Sequence, residues 1–154
     1  MRMSAFSLCL VLLVAALTPA RQALATLGEG AASIARDRTA LSAAKKASTS
    51  HPRYTVQEVA SDAATVREYL NLSGVVFAVA WNGMVHPDLT TLLGSYASEY
   101  RDAKRQASRQ HGQKRSRVAA SRVTVETWGH MRNLRGRAYL PALLPEGVSV
   151  DEIQ

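Results

Sequence analysis

Cysteine is almost missing from this chain: Cys9 is the only one among 154 residues. It stands near the start of an apolar run, whereas a lipid-carrying cysteine follows such a run, so it does not read as a lipidation site. Everything after it lacks a thiol nucleophile, a disulfide and any cysteine-based metal set. Histidine is sparse as well. His51, His86, His111 and His130 show neither His-x3-His nor Glu-x2-His spacing, so no metal site is expected. A Gly-x-Ser-x-Gly elbow, a Ser-x2-Lys pair and a glycine-rich phosphate loop are missing too. No catalytic, cofactor-binding or metal-ligating residue is assigned on these grounds, and no cofactor is expected. Long apolar runs are also missing. The longest, Leu8–Leu17, is about half of the roughly 20 residues that a bilayer-spanning helix needs.

That short run is one part of an export signal. Arg2 precedes it and the small-x-small site Ala23-Leu24-Ala25 follows it, and the three parts together describe a signal peptide. Residues 1–25 are assigned to it, and cleavage after Ala25 would leave a chain beginning at Thr26. Thr18-Pro19-Ala20 is a competing site with a less suitable proline at the cut, and Arg21 is unusual in such a region. An uncleaved anchor is the alternative. The expected location is periplasmic or secreted, with no integral membrane segment after cleavage. An exported domain without disulfides must be held by its apolar core.

Acidic residues are the scarce charge, 12 against 19 Lys and Arg, for a net +7 over the whole chain. The excess is concentrated. Residues 101–137 hold most of the basic side chains and only two acidic ones, Asp102 and Glu126, so the rest of the chain after residue 25 is net acidic. Such asymmetry suggests a polyanion partner. Outside the cytoplasm the polyanions are lipid headgroups, lipopolysaccharide and acidic polysaccharides, so no nucleic-acid partner is expected.

From Thr26 the chain is long enough for one ordinary domain. After a turn-like lead to Gly30, Ala31–Lys46 is rich in helix formers. Ala47–Arg53 has the composition of a linker. Three strands are predicted next: Tyr54–Val59, Thr65–Leu72 and Val75–Trp81, with Ser61-Asp62-Ala63 and Ser73-Gly74 as turns. Val75–Trp81 is apolar on both faces and is expected to be the central, doubly covered strand, sharing one core through Phe77, Trp81 and Leu93. Pro87-Asp88 opens a helix with Asp88 as N-cap, and Leu89, Leu92, Leu93, Tyr96, Tyr100 and Ala103 form its apolar stripe. Gly94 inside that stripe suggests close packing against the sheet. The helix is expected to reach about Gln110 and to stop at Gly112. Val118–Trp128 and Gly136–Leu140 read as a fourth strand and a short fifth, and Val148–Gln154 as a loosely docked tail. The expected fold is a single small α+β domain over 26–154. It has an antiparallel meandering sheet of four to five strands packed by one or two helices.

Several stretches resemble a family of exported bacterial proteins catalogued as domain of unknown function 2844. They are Ala25-Thr26-Leu27-Gly28, Thr65-Val66-Arg67-Glu68-Tyr69, Gly74–Trp81, Pro87-Asp88-Leu89, Leu92-Leu93-Gly94 and Tyr96. Gly129-His130-Met131-Arg132, Gly136–Pro141 and Pro145–Val148 complete the set. The basic segment Lys104–Arg117 departs most from that pattern. The resemblance implies an exported single-domain protein and brings no activity, cofactor or site residue.

Three readings of function follow. The first is a non-catalytic periplasmic binding or envelope-accessory module, whose partner would be an envelope protein or surface. The second is a small hydrolase or transferase built on His86 and Asp88, which stand together at a strand-to-helix junction, or on His130. Against it, Pro87 and Asp88 suffice as loop end and helix cap. The third is contact with an anionic envelope surface through Lys104, Arg105, Arg109, Lys114, Arg115 and Arg117, a segment also readable as a solvated helix end and loop. His130, Met131, Arg132, Arg135 and Arg137 form a local cationic cluster near Trp128 and Tyr139, suited to sugars or phosphates or to ordinary cation–π pairs.

Overall fold

The computed structural model describes residues 26–30, 45–60, 64–107 and 115–154. Seven strands form one antiparallel sheet: β1 Lys45–Ser50, β2 Tyr54–Ala60, β3 Ala64–Asn71, β4 Val76–Gly83, β5 Arg115–Ala119, β6 Thr124–His130 and β7 Asn133–Tyr139. Their order is β1-β2-β3-β4-β7-β6-β5. Two meanders therefore lie side by side, with β4 against β7. The link between them must travel from the central strand to the far edge. It does so over one face through three consecutive helical elements: α1 Leu89–Leu93, a 3-10 turn Gly94–Tyr96, and α2 Ala97–Gln106.

The sheet is larger than the four to five strands expected from sequence. Ala47–Ser50, read as linker, is the main part of β1. Its Lys-Ser-Thr composition suits an exposed edge, where a strand has few side chains to bury. The single strand expected over Val118–Trp128 is two strands, β5 and β6, reversing at Ala120–Val123. The helix expected over Ala31–Lys46 falls outside the described residues except for Lys45 and Lys46, which belong to β1. The turn at residues 61–63 and the proposed stop at Gly112 also lie outside them.

β4 is the central strand, and its residues from Val76 to Trp81 are all buried. Leu70 pairs with Val76 and Tyr69 with Ala78, so Phe77 is an extra residue in a β-bulge. The bulge changes which face each side chain serves. Val76, Val79 and Trp81 join the helix side with Val66, Leu70, Leu92, Leu93 and Val125. Phe77, Ala78 and Ala80 join the other side with Tyr54, Tyr69, Tyr139 and Ile153. Trp81 and Leu93 thus share a core as expected, while Phe77 does not: strict alternation misplaced it. Each large apolar side chain buried here contributes about 1.5–3 kcal/mol.

Both chain segments that flank the sheet are tied down. On the helix side, Leu27 is buried, its N–H donates to Leu92 O at 3.1 Å, and Gly28 N–H donates to Val76 O at 2.8 Å. Gly94 has φ +51°, and a Cβ there would collide with the Thr26 methyl. Its close partner is this N-terminal strap, not the sheet. On the other side, residues 141–154 cross the tyrosine-rich face. They are not the loose tail expected from sequence: Ile153 is fully buried, and Tyr69 Oη donates to the main-chain O of Gln154 at 3.0 Å.

Candidate functional site

His86 follows β4 as the chain bends toward α1. Trp81 points its indole back along the same connection and donates Nε1–H to His86 Nδ1 at 3.0 Å. Desolvation, and secondarily the nearby charge of Lys104, hold His86 below the usual histidine pKa. Asp88 caps α1: Oδ1 accepts from Thr90 N–H at 2.9 Å and Oδ2 from Thr91 Oγ1–H at 2.6 Å. Those bonds stabilise the carboxylate and lower its pKa. Neighbours in sequence, the two side chains serve different partners.

Arg67, Glu68 and Tyr69 split between the faces as a strand requires. Arg67 pairs across β2 with Glu58 at 2.6 Å, and Glu68 is buried on the opposite face.

The basic segment is not one loop. Lys104 and Arg105 lie in the last turn of α2, on the helix side. Lys104 sits 5.6 Å from the centre of the Tyr100 ring, and Arg105 pairs with Asp102. Arg109 and Lys114 lie outside the described residues. Arg115 and Arg117 belong to the edge strand β5, which corrects their assignment to a loop. Val118 faces the helix-side core, so Arg115 and Arg117 face the other way.

On that face the register builds two rows. One runs Arg117, Glu126, Arg137 across β5, β6 and β7. Glu126 is buried and accepts from Arg137 Nε at 2.8 Å, with Arg117 Nε 3.4 Å away. Arg137 also donates to Val150 O at 2.6 Å. Here one carboxylate serves two guanidiniums, Asp151 Oδ1 lies 3.7 Å from Arg137, and Arg137 clamps the tail. The other runs Arg115, Trp128, Arg135 and, on β4, Asn82. The Arg115 guanidinium lies 5.5 Å from the centre of the Trp128 ring and that of Arg137 5.6 Å. Among the described residues, neither Arg115 nor Arg135 forms an ion pair. Asn82 Oδ1, at the inner end of the row, is buried with no hydrogen-bond partner among them, a cost of about 1–3 kcal/mol.

The row is continued by the hairpin that joins β6 to β7. His130 pairs with Asn133, leaving Met131 and Arg132 as a two-residue turn with φ of 27° and 62°. Such turns favour Asn and Gly because both central residues need positive φ. Here the positions hold two long side chains, and both project into solvent. Sequence reasoning grouped Arg132 and Arg135 near Trp128 but left Arg115 in a separate basic segment and did not single out Asn82. The missing signal was the β5–β6 turn, since without it Arg115 has no place opposite Trp128.

A family model described as Protein of unknown function (DUF2844) matches residues 23–153. No curated protein and no solved structure matches the chain. No helix among the described residues is long and apolar enough to cross a membrane.

Proposed function

The chain belongs to the DUF2844 family, and we propose that it is an exported, non-catalytic binding module of the bacterial envelope, periplasmic or secreted. The observation that carries this reading is the row Arg115, Trp128, Arg135: two guanidiniums without an ion pair among the described residues, one of them donating to Asn133 Oδ1 at 3.2 Å, on either side of an aromatic ring. Arg and Trp are the residue types that anchor interfaces. Placed on neighbouring strands, they are held by the sheet at strand spacing, about 4.8 Å apart, so little ordering is needed on binding. Export rests on Arg2, the short apolar run and Ala23-Leu24-Ala25.

The hydrolase or transferase reading is weaker. Asp88 spends both oxygens on its helix cap, and His86 spends Nδ1 on the Trp81 indole. His130 remains exposed on the hairpin, with no acid or base partner among the described residues. The test is a pull-down from the envelope fraction with the purified protein, beside a variant carrying R115Q, W128A and R135Q. The triple variant should lose the captured component and still unfold cooperatively, with a melting temperature lowered only by the loss of the contact between Trp128 and Arg137. Equal capture by both proteins would remove the row from function.

A further inference from the structure

The strands all leave the sheet at two ends, and both expose apolar side chains: Leu72 stands at the β3–β4 turn on one, and Met84, Val85 and Met131 stand on the other. At one end stand the Met84–Val85 bend after β4 and the Met131–Arg132 turn between β6 and β7. Gly83 pairs with Leu134, so both features leave the sheet side by side. Arg115 begins β5 at the same end, opposite Trp128. Lys104 approaches it from the helix side, near enough to His86 for its charge to be felt there. Met131 is 89% exposed, Val85 54% and Met84 52%. At the opposite end Glu29 bonds through its main chain to Val76, Glu99 binds Arg122 at the β5–β6 turn, and Arg53 reaches Glu146 O.

We propose that this end of the sheet docks the protein on an anionic lipid surface. Met131, Met84 and Val85 enter the headgroup–acyl boundary, and Arg115, Arg132, Arg135 and Lys104 contact lipid phosphates. Exposed apolar side chains next to cations that form no ion pair among the described residues have the composition of an interfacial anchor. An acidic polysaccharide would use the cations but gain nothing from bare methionine and valine. A second copy would bring cation against cation. Trp128, one strand-step behind the tip, takes the level at which amphipathic rings settle on membranes. The turn geometry fits as well: a positive-φ position normally given to Asn or Gly here holds an apolar side chain out in water.

The inference rests on the binding-module reading and narrows its ligand to lipid. Its test is sedimentation of the purified protein with vesicles of phosphatidylglycerol and phosphatidylcholine, against phosphatidylcholine alone. Binding is expected only with the anionic lipid and should fall steeply with salt, since exposed charges are screened beyond about 8 Å at physiological ionic strength. R115Q, R132Q and R135Q should each weaken it about fivefold, the share of one basic residue near an anionic surface. M131S should weaken it severalfold at unchanged melting temperature, because the side chain makes no core contact. Absence of binding at low salt, equal binding to phosphatidylcholine, or wild-type binding by M131S would overturn the proposal. So would full displacement by soluble polygalacturonate. If vesicle binding fails while the R115Q/W128A/R135Q variant still loses its captured component in the pull-down, the binding module stands and only its lipid ligand falls.

Discussion

The indole N–H of Trp81 donates to Nδ1 of His86 at 3.0 Å, across the bend that carries β4 into α1. The acceptor nitrogen must be unprotonated, so neutral His86 keeps its hydrogen on Nε2. Trp81 itself is buried in the helix-side core. The bond therefore couples an exposed loop residue to the centre of the fold.

That coupling sets a pH dependence. Desolvation and the Lys104 charge place the folded pKa of His86 below the ordinary 6.5. The unfolded chain then binds the proton more readily than the folded one, so stability rises with pH across this window. The contribution is complete above about 6.5 and is lost as pH falls through the lower folded midpoint, where the charged ring releases the indole. A histidine NMR titration should show the His86 midpoint below the ordinary histidine value. Urea midpoints should drop between neutral and mildly acidic pH. H86A should flatten that pH dependence and cost about 1–3 kcal/mol, the penalty of an unpaired donor on a buried ring. A normal His86 midpoint would contradict the account.

The bulge in β4 makes a second prediction. Leu93 and Trp81 lie on one side of the sheet, Phe77 on the other. L93A should cost about 2–5 kcal/mol and F77A about 3–5 kcal/mol. Double-mutant cycles tell the two faces apart. L93A should couple to W81F by at least about 0.5 kcal/mol, the range for residues sharing a core, and should add to F77A nearly without interaction. F77A should couple instead to Y69A, because the Tyr69 ring lies 6.2 Å from that of Phe77. The reverse pattern would mean that the bulge is misplaced.

The same bulge shows what could and could not be read in the sequence. The three strands from Tyr54 to Trp81 were legible because their apolar periods are clear, and so was the Asp88 cap. Alternation alone, however, puts Phe77 with Trp81, and only the pairing of Leu70 with Val76 reveals the extra residue. β1 was illegible because Ala47–Ser50 are exposed at the sheet edge and carry no apolar period. The β5–β6 reversal hid because Ala120, Ser121 and Arg122 lack the Gly or Pro that normally marks a turn. With it hid the row of the candidate site, whose Arg115 and Trp128 are thirteen residues apart and meet only through that reversal. The tail hid for a similar reason. Ile153 is one apolar residue among polar neighbours, and its value comes from the tyrosine face it meets.

That tail supports the last prediction. Arg137 is the centre of the clamp: Nε and a terminal nitrogen hold buried Glu126 at 2.8 Å, and the other terminal nitrogen donates to Val150 O and reaches Ile153 O at 3.4 Å. R137M would leave the buried Glu126 carboxylate with only the exposed Arg117, 3.4 Å away, and should cost up to about 3–5 kcal/mol. Replacing both partners, as R137M with E126L, removes the stranded charge and should recover much of that loss. I153A should cost about 2–5 kcal/mol through its cavity. Because one guanidinium holds both the carboxylate and the main chain at Ile153, R137M and I153A should not add: a cycle in urea should return an interaction of about 0.5–3 kcal/mol. Limited proteolysis gives an independent reading, since either variant should be trimmed from its C-terminal end while β2 to β7 resist cleavage. Additive losses, with a tail as protected as in the wild type, would show that Arg137 serves Glu126 alone and that the tail is held by its apolar contacts.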